Sequence, residues 1–198
     1  ICMTNVIDFY FDFISPYSYL AHKKLKFLNK DNKLNINYKP ILLGGLHKLG
    51  KITAPAFNER KMKNMKNDCE LIAKKNKIEF KWNTKFPINS LYLMRGYLLI
   101  TGDLIEKYLD FCFNAYWRDN LDILDEKIVH QILDDVGFDK EIFFRDIGND
   151  KIKLDLKKFT NDAFKKDIFG APTFVVNKKI FWGQDRLDYA IEELKFCS

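Results

Sequence analysis

The sequence predicts an α/β fold in which a β-α-β half and a β-β-α half flank a long helical insertion. Three observations carry this. The chain opens on an aromatic and β-branched run that passes into a helical stretch and then into a second strand. From Gly44 to about Lys166 the apolar residues recur with helical spacing almost throughout. Strand character returns only at Thr173, close to the end.

Residues 6–13, "VIDFYFDF", alternate with Asp8, Tyr10 and Asp12 in the manner of a strand. Ser15 then stands where a helix cap belongs, with Pro16 at the first helical position, where its missing N–H costs nothing. This helix is expected to reach about Lys30, with Tyr17, Leu20, Ala21, Leu25 and Leu28 on one face. Asp31, Asn32 and Lys33 read as a turn before a second strand over 34–43. Gly44-Gly45 reads as a turn and not as a phosphate loop.

Helices are expected at 58–77, 90–100, 104–116, 125–136, 140–147 and 154–166, parted by turn signals at Phe86-Pro87, Thr101-Gly102, Asp119-Asn120 and Gly137. Residues 173–176 and 180–182 read as a hairpin across Asn177, Lys178 and Lys179. Asp185 is expected to cap a final helix over 185–195. This order is that of a thioredoxin-like fold with an all-helical domain inserted between the βαβ and ββα halves. Residues 3–43 and 167–198 would form the discontinuous thioredoxin-like domain, and 44–166 the inserted helical domain.

Composition narrows the function. Hydrophobic residues make up 47% of the 198, enough for a sizeable core, so disorder is excluded. The net charge of +6 comes mainly from lysines scattered along helix faces, without a groove-reading motif, and no nucleic-acid partner is expected. No segment approaches the roughly 20 apolar residues of a membrane span, so no membrane partner is expected either. Cys2, Cys69, Cys112 and Cys197 form no C-x-x-C pair and no zinc or disulfide pattern; Cys69 and Cys112 fall in apolar helical patterns and read as packed thiols. Asp8 and Asp12 interrupt what would be the apolar core of a secretory leader. Free thiols without such a leader predict a cytoplasmic protein. His22, His47 and His130 lack metal spacing and read as surface or core side chains; no metal is expected.

Three motifs carry chemistry. The first is Ser15-Pro16-Tyr17-Ser18, which stands where a redox thioredoxin has Cys-Pro-X-Cys. Ser15 is on the bland reading a helix cap; on the functional one it is a hydroxyl donor at a helix N-terminus. The second is "FGAPTF", where a cis Ala171-Pro172 bond facing that N-terminus would offer the backbone of Ala171 to an extended ligand. The third is "FWGQDRLD", where Gln184 and Asp185 stand at another helix N-terminus suited to a carboxylate, and Asp185 can pair with an amine. A thiol, a peptide backbone and a zwitterionic end together describe glutathione.

These residues also carry a resemblance. "DFYFDFISPYSYLA", "FPINSLYLMRG", "FNAYW", "FGAPTFVV" and "FWGQDRLD" resemble segments of the 2-hydroxychromene-2-carboxylate isomerases and the related kappa-class glutathione transferases, within the DsbA-like group. The resemblance implies glutathione as cofactor, Ser15 as the catalytic serine, and Ser15, Pro16, Tyr17, Lys61, Ala171, Pro172, Gln184 and Asp185 as its contacts. It implies a homodimer and an aromatic or otherwise electrophilic small-molecule substrate. Lys51, Trp82, Phe86, Asn89, Tyr92, Tyr116 and Trp117 are candidates for that substrate's pocket. Lys51 stands near the place of a family Asn, the one marked departure. The leading expectation is a glutathione-dependent isomerase acting on an unsaturated aromatic 2-oxo acid. A kappa-like glutathione transferase is the second, and a non-catalytic DsbA-like binding module the third.

Overall fold

The computed structural model describes residues 6–31 and 33–195; Cys2, Asn32 and Cys197 lie outside them. In chain order the elements are β1 (Val6–Phe11), α1 (Pro16–Leu28), β2 (Asn35–Pro40), α2 (Leu43–Leu49), α3 (Glu59–Asn76), α4 (Leu91–Leu99), α5 (Leu104–Trp117), α6 (Glu126–Val136), α7 (Lys140–Asp146), α8 (Asp150–Lys165), β3 (Thr173–Val176), β4 (Lys179–Trp182) and α9 (Leu187–Lys195), with short 3-10 turns at Pro55–Phe57 and Gln184–Arg186. Between β2 and β3 the described chain is helix and loop only.

The four strands run in the order β2-β1-β3-β4. β1 pairs parallel with β2, from Val6 opposite Asn35 to Phe11 opposite Pro40. β3 lies antiparallel on the other side of β1, with Phe9 opposite Phe174, and β4 antiparallel beyond it. The parallel pair needs a crossover, which α1 supplies; β3 and β4 need only a tight turn. That turn is Asn177-Lys178, both left-handed at φ 51° and 67°, as a two-residue type I′ hairpin requires.

β1 is buried along one face and at Tyr10 on the other, which is why its sequence is so aromatic. Ile7, Phe9 and Phe11 point into the main core, where Phe9 stacks on Phe174 at 5.0 Å between ring centres. Tyr10 points the other way, into a smaller cluster with Ile41, Leu46, Ala163 and Ile168. The main core is one continuous cluster that runs from the sheet through α1 into α3, α4, α5, α6 and α7.

Differences from the expected elements have local causes. Gly44 and Gly45 lie inside α2 and not in a turn. Two glycines weaken a helix by about 1 kcal/mol each, but Leu46 is buried, the Leu42 N–H donates to Thr160 Oγ1 at 3.0 Å, and a Cβ on Gly45 would stand 3.6 Å from Thr160 Cγ2. Packing against α8 outweighs propensity. α8 itself starts a turn early, at Asp150, because Asn149 caps it by accepting from the Lys151 N–H. Asp185 lies inside the 3-10 turn that leads into α9 and not at its cap position, behind Gly183 at φ 105°, and its carboxylate pairs with Arg186 at 2.9 Å.

Candidate active site

A cleft of about 1280 Å³ opens at the N-terminus of α1. Its walls come from five places far apart in sequence: the β1–α1 connection, α2 with the loop behind it, α3 from Lys61 to Ile72, residues 86–90, and the segments on either side of the β3–β4 hairpin.

Ser15 sits on this wall, almost fully buried. Its extended backbone starts α1, and its Oγ accepts from the Ser18 N–H at 3.1 Å, so it is the helix cap the sequence implies. The same hydroxyl donates to the Ala171 carbonyl at 2.9 Å, across 156 residues of chain. A bare cap does not need that second bond. The Ala171-Pro172 peptide is cis, and the Pro172 carbonyl accepts from the Gly183 N–H at 2.9 Å, which ties this segment to the one carrying Gln184 and Asp185. The Phe86-Pro87 peptide is also cis, a feature the sequence reading took only for a turn.

Pro16, Tyr17, Lys61, Ala171, Pro172, Gln184 and Asp185 all line the cleft with Ser15, as do Phe86 and Asn89. The Tyr17 hydroxyl donates to Asp68 Oδ2 at 2.8 Å, tying α1 to α3. Burial first, and then the Asp68 carboxylate, push the Tyr17 phenol far above its ordinary value, so it stays protonated. Lys61 lies in the first turn of α3, where its backbone N–H satisfies the Asn58 cap and leaves the side chain exposed.

Five expected pocket residues are elsewhere. Tyr116 and Trp117 are completely buried in the core at the end of α5, and the Trp117 indole N–H donates to the Phe13 carbonyl at 2.8 Å. Trp82 packs edge-on against Trp117 and Phe86, behind the cleft wall. Tyr92 is 55% exposed and outside the cleft. Lys51 is exposed, left-handed at φ 53°, and does not line the cleft. The aromatic residues that do line it, besides Tyr17 and Phe86, include Phe57, Phe169 and Trp182. Helical spacing could not show this, because the three lie in a 3-10 turn, a loop and an edge strand. Trp117 therefore tests as structure: Trp117→Ala is expected to cost about 3–5 kcal/mol of stability, read by urea denaturation, and an unchanged midpoint would contradict its burial.

Sequence reasoning also missed Asp12, Asp68 and His47. Asp12 is fully buried beneath the cleft floor. Its Oδ1 accepts from the Ile14 N–H at 3.1 Å and the Ser90 hydroxyl at 2.6 Å, and its Oδ2 from the Leu43 N–H at 2.7 Å. One carboxylate thus pins the strand end before Ser15, the start of α2 and the start of α4. Burial raises its pKa, against the pull of these three donors. The signal was present as an Asp in an otherwise apolar strand end, but without a structure it has no partners.

Among the described residues no helix is long and apolar enough to cross a membrane, and no three His, Cys, Asp or Glu side chains converge on a metal site. The DSBA-like thioredoxin domain matches residues 6–195. A 2-hydroxychromene-2-carboxylate isomerase of Sphingobium xenophagum is 31% identical over 194 residues, covering 94% of this chain and 96% of the relative. Glutathione S-transferase kappa 1 of Homo sapiens is 22% identical over 201 residues, covering 94% and 89%. A solved structure of a 2-hydroxychromene-2-carboxylate isomerase superposes with a TM-score of 0.89 at 25% identity, covering 96% of this chain and 95% of its own. The chain belongs to the DSBA-like thioredoxin family, in the branch of 2-hydroxychromene-2-carboxylate isomerases and kappa-class glutathione transferases.

Proposed function

We propose that the chain is a glutathione-dependent isomerase of the 2-hydroxychromene-2-carboxylate isomerase type. The observation that supports this best is the Ser15 hydroxyl, held at the α1 N-terminus and bonded to the Ala171 carbonyl on the wall of a ligand-sized cleft. The residues present fit glutathione. Ser15 is a donor for its sulfur, the Ala171 carbonyl an acceptor for its backbone, Lys61 and Arg186 are cations for its carboxylates, and Asp185 a partner for its amine. When bound, glutathione supplies a sulfur that adds reversibly to the unsaturated aromatic 2-oxo acid and leaves again after rotation about the former double bond.

The chain's own part is an exchange of hydrogen bonds. Ser15 has one proton to give, and without a ligand it gives it to the Ala171 carbonyl. Turning that O–H toward a thiolate replaces a neutral bond by a charge-assisted one, about twice as strong. It also releases the Ala171 carbonyl for an N–H of the ligand. The Ser18 N–H holds the oxygen in place through the turn. A free thiol with pKa near 8.5 is only a few per cent ionised at pH 7; bringing it to about 6.5 takes about 2.7 kcal/mol. One such bond and the positive end of α1 together are of that size.

The transferase reading shares every one of these residues and is separated by product: glutathione is returned by an isomerase and consumed by a transferase. This reading goes with a homodimer in the cytoplasm, where glutathione is kept largely as the free thiol. Calorimetric titration of glutathione tests it, with saturable binding expected; no binding would leave a DsbA-like module without this chemistry. Because Lys51 is exposed and not among the residues that line the cleft, Lys51→Ala is expected to bind glutathione as the wild type does, at low and at moderate ionic strength. Weaker binding in the variant, with a gap that narrows as salt rises, would put Lys51 at the site.

A further inference from the structure

We propose that His22 is a positioning residue for Ser15: it accepts a hydrogen bond from the Ser18 hydroxyl and so keeps that hydroxyl from competing for the Ser15 proton. The inference rests on the isomerase reading above and names the side chain that leaves Ser15 free for the thiolate. Its basis is a line of polar residues inside an apolar core. Ser15, Ser18, His22 and Lys26 follow one another at spacings of three, four and four, so they share one stripe of α1.

Ser18 and His22 are both fully buried. The Ser18 N–H donates to Ser15 Oγ at 3.1 Å, but the Ser18 Oγ has no partner as the side chains stand. One turn on, His22 Nε2 meets Asp110 Oδ1 of α5 at 2.7 Å, and the ring stacks on Phe113 at 5.2 Å between ring centres, while His22 Nδ1 has no partner. Five buried side-chain polar atoms among the described residues are left in this way, and the other three, on Arg95, Asn114 and Tyr116, belong to α4 and α5. A buried polar atom without a partner is costly, and the two on α1 are complementary in chemistry.

Burial alone would raise the Asp110 carboxyl, but the bonds from His22 and Lys26 overcome it and bring its pKa to about 2, so it is an anion that can only accept. The proton on the ring therefore sits on Nε2. Burial lowers the His22 pKa, against the pull of Asp110, and the ring is neutral at neutral pH. The other ionisable groups around it are Lys23 and Lys26 on α1, which also oppose a charge there, and Tyr38 on β2, 6.0 Å away between ring centres. That leaves Nδ1 a bare acceptor and the Ser18 hydroxyl, one turn back on the same stripe, a donor without an acceptor. Helical side chains lean over the preceding turn, which carries the His22 ring toward Ser18, and Ser18 has a single side-chain torsion to turn. Held by His22, the hydroxyl is drawn along the helix away from Ser15. Released, it can turn back toward the cap and accept the one proton that Ser15 has for the sulfur.

The test has two readouts. Nitrogen NMR of the imidazole, without ligand, should show Nε2 protonated and Nδ1 bare, with the Nδ1 resonance shifted in Ser18→Ala. The pKa of the bound glutathione thiol is then followed by the ultraviolet absorbance of its thiolate in the wild type, His22→Phe, His22→Asn and the double variant His22→Phe with Ser18→Ala. His22→Phe is expected to raise it from about 6.5 to about 7.5, which lowers turnover about eightfold at pH 6 and hardly at pH 9. A variant that had only become less stable would lose turnover without this dependence. His22→Asn keeps an acceptor near the place of Nδ1 and should stay close to the wild type, and the double variant should recover most of what His22→Phe loses. An unmoved Nδ1 resonance, an unchanged thiol pKa in His22→Phe or no recovery in the double variant overturns the role of His22 and leaves the isomerase reading in place. Failure of glutathione to bind the wild type removes the isomerase reading and this role with it.

Discussion

Ser15→Ala is expected to lose about 10²–10³-fold in turnover while glutathione still binds. The size follows from removing one preorganised donor to a developing anion, about 2.7–4 kcal/mol in comparable sites. Binding should persist because Lys61, the Ala171 backbone, Gln184 and Asp185 stay in place, and the freed Ala171 carbonyl loses a competitor. The complication is that Ser15 is also the α1 cap, so alanine costs about 1 kcal/mol of stability as well. Ser15→Gly separates the two effects, since glycine at a cap costs only a few tenths of a kcal/mol. Steady-state kinetics on both variants, with melting temperatures alongside, should show an equal loss of turnover and an unequal loss of stability. Near wild-type turnover in either one would reduce Ser15 to a cap.

Asp12→Ala is the largest expected loss of stability near the site, about 2–5 kcal/mol. Three donors, the Ile14 and Leu43 N–H groups and the Ser90 hydroxyl, lose their acceptor together, and each one left unsatisfied costs about 1–3 kcal/mol. The cost should depend on pH. Burial makes the folded pKa of Asp12 higher than the unfolded one, near 3.9. The contribution of Asp12 is therefore fully present below the unfolded value and falls as pH rises through the folded one. Urea denaturation at pH 4 and pH 7 should find the wild type ahead of the variant at both, with the gap wider at pH 4. A gap that widens toward pH 7 would mean that the three donors outweigh burial and that the folded pKa is depressed. Because Asp12 fixes the backbone just before Ser15, with the Ser15 N–H donating to the Asp12 carbonyl at 3.1 Å, the variant should also lose turnover.

How much of this was legible in the sequence depended on whether the signal was local. The Ser15 cap with Pro16 and the hairpin after Val176 are decided within four residues, and both read directly from the chain, although Lys179, expected in the turn, already pairs with Val176. Gly44-Gly45 did not, since contacts with Thr160, far along the chain, decide that helix. The motifs around Ser15, Ala171 and Gln184 pointed to one place, and the fold brings them together. The apolar wall was the weak part. Trp117 and Tyr116 have the composition of a pocket but the burial of a core, and nothing in helical periodicity separates the two. His47 and Asp12 had no visible partner in sequence, because their surroundings are assembled from α2, α4 and β1 at once.

The hydrogen bond from Ser15 to Ala171 also sets a schedule for biosynthesis. Its two ends lie 156 residues apart, and β1, the strand inside the sheet, must wait for β3 to cover its second edge. A ribosome releases the β1–α1–β2 unit early and the helices after it, yet the cleft wall is incomplete until residues 169–186 emerge. Until then an aromatic strand with an open edge is exposed to other chains, the kind of surface that recruits chaperones. A nascent chain stopped after α8 has most of its core residues and Ser15, yet lacks the Ala171 carbonyl that Ser15 bonds and the cleft wall beyond it.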